Sequence, residues 1–293
     1  MTARRRVAIL ALAITVPSWG SAQSFDDLLK RGRAQADSGK GDEAVATLER
    51  AVQLNPKSAD AHFLLGRALG TVAQRASILR QPMLARRVKA EFEKASELAP
   101  ELVAPREGLI QFYLQAPGVM GGSVAKAREQ AAAIATVNAL RGHFAVATIA
   151  NHEKDPAGAE RAFRAAAVAF PDSLNAVTAL VNFLAGLGKG DDAFGMLDKY
   201  LAKHPADRVA QFYVGRTAAM TGKQLDRGEQ ALRALLAAPA ADTGARVAPE
   251  TVHYRLGDIA AHRGDKVRAR AEYEAALKIN PKLEQARRAL AAL

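Results

Sequence analysis

The sequence repeats itself every 34 residues, and a chain built that way folds by stacking one small unit on the next rather than around a single centre. Gly32 and Gly66 are 34 positions apart, as are Ala159 and Ala193, and again Pro171 and Pro205. Around each of these markers the apolar residues recur at helical spacing. The period therefore predicts one antiparallel helix pair per repeat.

Residue types at those positions have a packing reason. Two helices approach closely only where side chains are small, and the sequence supplies Gly32 with Ala44 and Ala51, Gly66 with Ala95, and Gly257 with Ala269 and Ala276. Small residues are expected to face small ones here. Larger residues would fill the groove beside them: Leu28 and Leu48, Leu65 and Phe92, Phe163, Leu180 and Leu197, Leu256 and Tyr273. Pro56, Pro100, Pro171, Pro205 and Pro281 cannot continue a helical hydrogen-bond ladder, so each closes a unit. Glycines 39, 188 and 264 mark the turn inside a unit, with Asp42, Asp191 and Asp265 expected to cap the second helix.

Composition agrees with closely packed helices: 49% of the chain is apolar but only 5% aromatic. There is no cysteine, which excludes disulfides, thiolate metal sites, cysteine nucleophiles and a cysteine-linked lipid anchor. The N-terminus reads as an export signal. Arg4, Arg5 and Arg6 precede the apolar residues 7–16, Pro17 breaks the run, and Gly20 and Ala22 are small, so cleavage is expected after Ala22. That run is shorter than the roughly 20 residues a membrane span needs, and nothing later is long and apolar enough. The formal net charge is +11, and losing residues 1–22 removes three arginines and no acid, leaving a basic chain suited to anionic partners. An exported, periplasmic protein is the expectation.

With the segments LLKRGRAQADSGKGDEAVATLERAVQLNP and TVHYRLGDIAAHRGDKVRARAEYEAALKINP, the pattern resembles the tetratricopeptide repeat over nearly all of residues 25–281. The resemblance implies an all-α, right-handed superhelical solenoid occupying 23–293. Its expected units are 25–56, 59–100, 101–139, 140–171, 174–205, 208–240 and 250–281, about seven helix pairs, followed by a capping helix in 282–293. Two units depart from the pattern. One carries APGVMGGS at 116–123 and lacks a closing proline; the other has about ten extra residues around QRASILRQPMLARR. The glycine-rich insertion lengthens a turn or lies on a binding face. It is no phosphate loop, because no Gly-Lys-Ser/Thr follows it.

In this family the first helix of each unit lines a concave groove, and ligands, often peptides, are gripped by its second, fifth, ninth and thirteenth residues. Carried over, that places Arg33, Arg67 and Arg216 at one register in three units. Asn175, Thr178 and Asn182 would form a polar column along one helix, with Phe212, Tyr254 and Asp258 nearby. Separately, Arg67, Arg75, Arg80, Arg86, Arg87 and Lys89 lie between Asp60 and Glu91 with no acid among them. This stretch is either an anion-binding patch or the solvated face of an extended helix pair. It lacks the aromatic interleaving that stacks on bases, so nucleic acid is not the expected partner.

Nothing points to catalysis. The six histidines include no His-Glu-x-x-His set, and His62, His143 and His253 fall at one large-residue place in the repeat, where packing is the simpler role. No metal and no cofactor is expected. The sequence implies a non-enzymatic scaffold whose groove holds a protein or extended peptide of acidic character. The alternative is an accessory protein binding an anionic envelope polysaccharide through residues 67–89.

Overall fold

A computed structural model of the chain describes residues 24–237 and 247–293. The expected export segment and residues 238–240 of the sixth expected unit lie outside the described residues. The chain divides into two compact units. The first, ending at Pro100, holds α1 (Phe25–Asp37), α2 (Gly41–Leu54), α3 (Ala59–Arg75) and α4 (Gln81–Leu98). The second, Glu101–Leu293, holds α5 (Val103–Gln115), α6 (Val124–Val137), α7 (Ala139–His152), α8 (Pro156–Ala169), α9 (Leu174–Gly186) and α10 (Gly190–Lys203). It continues with α11 (Arg208–Thr221), α12 (Leu225–Ala237), α13 (Pro249–His262), α14 (Lys266–Ile279) and α15 (Glu284–Ala291). Among the described residues there is no strand, and each odd-numbered helix from α1 to α13 packs on its successor. The all-helical, paired architecture is the one that the periodicity predicts.

Sequence punctuation explains the ends of these helices. Asn55, Ala99, Phe170, His204 and Asn280 each precede a proline, and each terminates a helix with φ between −126 and −140°. That is the extended backbone a following proline ring enforces, so the helix stops there. Where a closing proline is missing, Asn138 takes over. It ends α6 with φ −146°, and its side chain accepts a hydrogen bond from the Arg141 amide at 3.0 Å, capping α7.

Gly39, Gly188 and Gly264 adopt φ of +78, +73 and +76°, as their turn role requires. Only Asp265 caps as expected, accepting from the Arg268 amide at 3.0 Å. Asp42 and Asp191 do not cap. Their helices begin one residue earlier, after Lys40 and Lys189, because a second glycine separates the turn from the aspartate. Their charges instead sit in the first turn, where they oppose the helix dipole.

Four glycines of the first helices receive large side chains directly. A Cβ on Gly32 would lie 2.6 Å from the Leu48 side chain, and one on Gly66 would lie 2.7 Å from the Phe92 ring. Gly215 meets Leu232 and Gly257 meets Tyr273 in the same way. At these four positions the glycine of the first helix is therefore a socket for a large side chain of the second. Packed interiors need complementary volumes, and a large residue against a glycine supplies them. In the second unit this principle extends through Val177, Leu180, Leu184, Phe194, Leu197, Val214, Leu232, Leu256 and Ile259 into one buried cluster.

The two insertions take opposite forms. Residues 117–121 make a short 3-10 turn in which Gly121 adopts φ +97°, and Ser123 then caps α6 by accepting from the Lys126 amide. The second insertion is helical instead: α3 has 17 residues and α4 has 18, against 13 and 14 in α1 and α2. Four extra residues in α3 carry its end about 6 Å further.

Opposite charges lace the second helices. Glu229 on α12 receives hydrogen bonds from Arg233 at 2.7 Å, from Arg268 at 3.0 Å, and from Arg263. Burial alone would raise its carboxyl, but these guanidinium groups hold it down to about 2.

Candidate binding face on the first helices

Within each unit, like helices of successive pairs meet through their first members. Helix α1 packs on α3; in the second unit α5 packs on α7, and α11 packs on both α9 and α13. The α9, α11 and α13 side is thus the closely packed side of its stack, and residues at one register of these helices become neighbours.

Asn182 of α9 and Arg216 of α11 share such a register. The Arg216 Nη1 donates to Asn182 Oδ1 at 2.5 Å, while Asn182 Nδ2 donates to the Tyr213 hydroxyl at 3.5 Å. The guanidinium also lies over the Tyr213 ring, 5.4 Å from its centroid, and Tyr213 stands edge-on to Phe212 at 6.0 Å. Arg216 is half-buried and has no carboxylate partner among the described residues. An oriented guanidinium whose charge is met only by a neutral amide is suited to accept an anion, with two parallel N–H groups matching a carboxylate.

Other residues in the set are differently placed. Asn175 is exposed near the start of α9. Thr178 is buried, and its hydroxyl donates to the Leu174 carbonyl at 2.7 Å, turned onto its own helix. On α13, Asp258 is held by Arg255 Nη1 at 2.9 Å and by the Tyr273 hydroxyl, also at 2.9 Å. Burial lifts the Asp258 carboxyl above its ordinary range in spite of Arg255, and burial beside Asp258 lifts both Tyr254 and Tyr273. Arg255 in turn stacks 4.6 Å from the Tyr254 centroid.

Arg33 and Arg67 belong to the first unit. Arg33 is exposed and unpaired among the described residues. Arg67 lies 3.6 Å from Asp37 and over the Phe63 ring at 5.9 Å, so the theme of an arginine on an aromatic recurs. The basic stretch divides in two. Arg75, Arg80 and Arg86 are exposed without ion pairs among the described residues, whereas Arg87 bridges Glu49 at 2.5 Å and Lys89 lies 3.4 Å from Glu93.

His62 is buried between Glu91, 2.6 Å from Nδ1, and the Pro56 carbonyl, 3.0 Å from Nε2; His253 meets Glu272 at 2.7 Å. His143 lines a groove of about 730 Å³ between α6, α7 and α8, alongside Ala131, Ala135 and Gly142. Sequence reasoning named Tyr273 only as a packing residue and did not single out Tyr213 or Arg255. A signal existed for the latter two: each lies three residues before a chosen polar residue or beside a chosen aromatic one, at helix-face spacing. Tyr273 comes from a second helix, which first-helix registers do not reach.

Two family models match the sequence, a TPR repeat over residues 32–71 and a tetratricopeptide repeat over residues 251–283. No curated protein sequence matches the chain. Among solved structures, the fold is similar to that of a tetratricopeptide repeat protein from Parabacteroides merdae. The identity is 15%, over 92% of this chain and 98% of that one, with a TM-score of 0.52. It is also similar to yeast Tom70, with 13% identity over 97% of this chain and 59% of Tom70, and a TM-score of 0.59.

Proposed function

Since the chain belongs to the tetratricopeptide repeat family, whose fold generally serves as a scaffold for protein–protein interaction, we propose that its first-helix face holds an extended peptide segment of acidic character. The observation that carries this reading is the Asn182–Arg216–Tyr213 arrangement. Arg216 is positioned by a neutral amide and an aromatic ring, so a carboxylate of the partner supplies the missing charge while Asn175 and Asn182 meet backbone amides. In the first unit, Arg33 is an exposed guanidinium without a partner among the described residues, and Arg67 lies over Phe63 but already has Asp37 at 3.6 Å. The role is non-catalytic, and the site is the cell envelope, reached through cleavage of residues 1–22. No described helix is long and apolar enough to cross a membrane.

An array of extended peptides graded from acidic to basic tests the reading. Retention of acidic peptides, lost in Arg216→Glu but unchanged in Arg80→Glu and Arg86→Glu, supports it. Retention independent of peptide charge, or the reverse ranking of variants, overturns it.

A further inference from the structure

The elongated α3–α4 pair ends in a tip unlike any other turn in the first unit. Residues 76–80 form a hydrogen-bonded turn: the Arg80 amide donates to the Ser77 carbonyl at 2.9 Å, and Gln81 Nε2 donates to the Ala76 carbonyl at 3.2 Å. This ordered turn presents large apolar side chains to solvent. Ile78 is 77% exposed, Leu79 88% and Met83 55%, although Leu84 and Val88, the next apolar residues of α4, are buried. Isolated exposed apolar residues are ordinary, but three at one projecting tip are not.

Charge surrounds this apolar crown. Arg75 ends α3, Arg80 immediately precedes α4, and Arg86 lies one turn into it; all three are exposed and without ion pairs among the described residues. Acids also occur on the α1–α2 turn, where residues 39–43 share a hollow with Arg75 and Arg80. Of these, Glu43 already has Lys40 at 3.8 Å and Gln35 at 3.2 Å, which leaves Asp42 as the acid facing Arg75 and Arg80 in that hollow.

We propose that this tip docks the protein on an anionic membrane surface. Ile78, Leu79 and Met83 enter the boundary between headgroups and acyl chains, and Arg75, Arg80 and Arg86 pair with lipid phosphates. Interfacial binding needs this combination, an apolar patch a few side chains deep and a collar of cations, and neither half suffices alone. A polysaccharide or other soluble polyanion would use the arginines but gives the apolar crown nothing to enter. A projecting tip also suits a broad soft surface better than an extended chain, which is held by a groove. The site is independent of the first-helix face and stands whether or not that face binds peptides.

The full chain contains no cysteine, so Leu79→Cys gives a unique attachment point for an environment-sensitive dye. The dye reports the tip itself, separately from any binding by the apolar residues 7–16. The probes are vesicles of phosphatidylcholine, the same vesicles with about one third phosphatidylglycerol, and soluble dextran sulfate. The expected result is a blue shift on anionic vesicles alone, weakened about fivefold by each of Arg75→Glu, Arg80→Glu and Arg86→Glu. Ile78→Ser with Met83→Ser also weakens it, and Lys57→Glu, the same charge change elsewhere in the unit, does not. All these side chains are exposed, and an unchanged helical circular dichroism signal confirms that the variants fold. Vesicle binding without a dye shift, an equal response to dextran sulfate, or loss in Lys57→Glu as large as in Arg80→Glu overturns the proposal.

Discussion

Arg216 reaches back 34 residues to Asn182, one repeat length, so that the same register of two successive first helices is joined by a side-chain hydrogen bond. The bond fixes the guanidinium without neutralising it. If Arg216 carries the contact to an acidic peptide, Asn182→Ala should weaken binding by about 1 kcal/mol, the usual worth of one such bond. Arg216→Lys should weaken it more, since an ammonium cannot hold Asn182 and a carboxylate in one plane. A double-mutant cycle read by titration calorimetry checks this. Strict additivity of the two substitutions would show that Asn182 does not position Arg216.

The socket packing of the glycines gives a stability prediction. In Gly66→Ala the new methyl group meets the Phe92 ring, which is buried and has little room to turn, so the protein should lose about 1–3 kcal/mol. Phe92→Leu in the same chain should recover part of that loss, although alone it is destabilising. Urea midpoints of the two single variants and the double variant measure the coupling.

Much of this fold was legible because its punctuation is local. Pro56 or Gly188 acts through its own φ or missing amide, and a reader of the sequence needs no tertiary information to place it. What a glycine faces is another matter: that Gly32 receives Leu48 depends on the rotation of two helices about their axes, and Ala44 and Ala51 are equally consistent with the pattern. The same limit applies to the candidate face. The register of Arg216 could be carried over from the repeat, but Tyr213 and Tyr273 enter through stacking and through a second helix. Pairings such as Arg87 with Glu49, which divide the basic stretch, span 38 residues and leave no periodic trace.

Acid should reveal Glu229. Its folded-state carboxyl is held at about 2, below the 4.5 of a free glutamate, so its ionised form stabilises the fold at higher pH. That contribution is complete above about 4.5 and disappears as the pH falls toward 2. Asp258 runs the other way: its carboxyl is raised by burial, so its share is present in acid and is lost as the pH rises through its folded value. Glu229→Gln should therefore flatten the fall in urea midpoint between pH 4.5 and 2, and Asp258→Asn should leave that fall in place. An unaltered profile in Glu229→Gln would mean that the three arginines do not act on this carboxylate.

Asn138 does two jobs that are divided elsewhere, as between Asn55, which ends α2, and Ser58, which caps α3. It ends α6 without a proline and caps α7 through the Arg141 amide. With alanine at 138 the extended backbone remains possible, but the amide loses its acceptor, a loss of about 0.5–2 kcal/mol. Serine keeps an acceptor oxygen at nearly the same place and should restore most of the stability. The effect should also be local: hydrogen exchange at the amides of residues 140–142 should quicken in Asn138→Ala, and the α9–α11 core should keep its protection until global unfolding. If exchange instead rises evenly across the second unit, α7 has no independent fraying and the cap acts only through the whole stack.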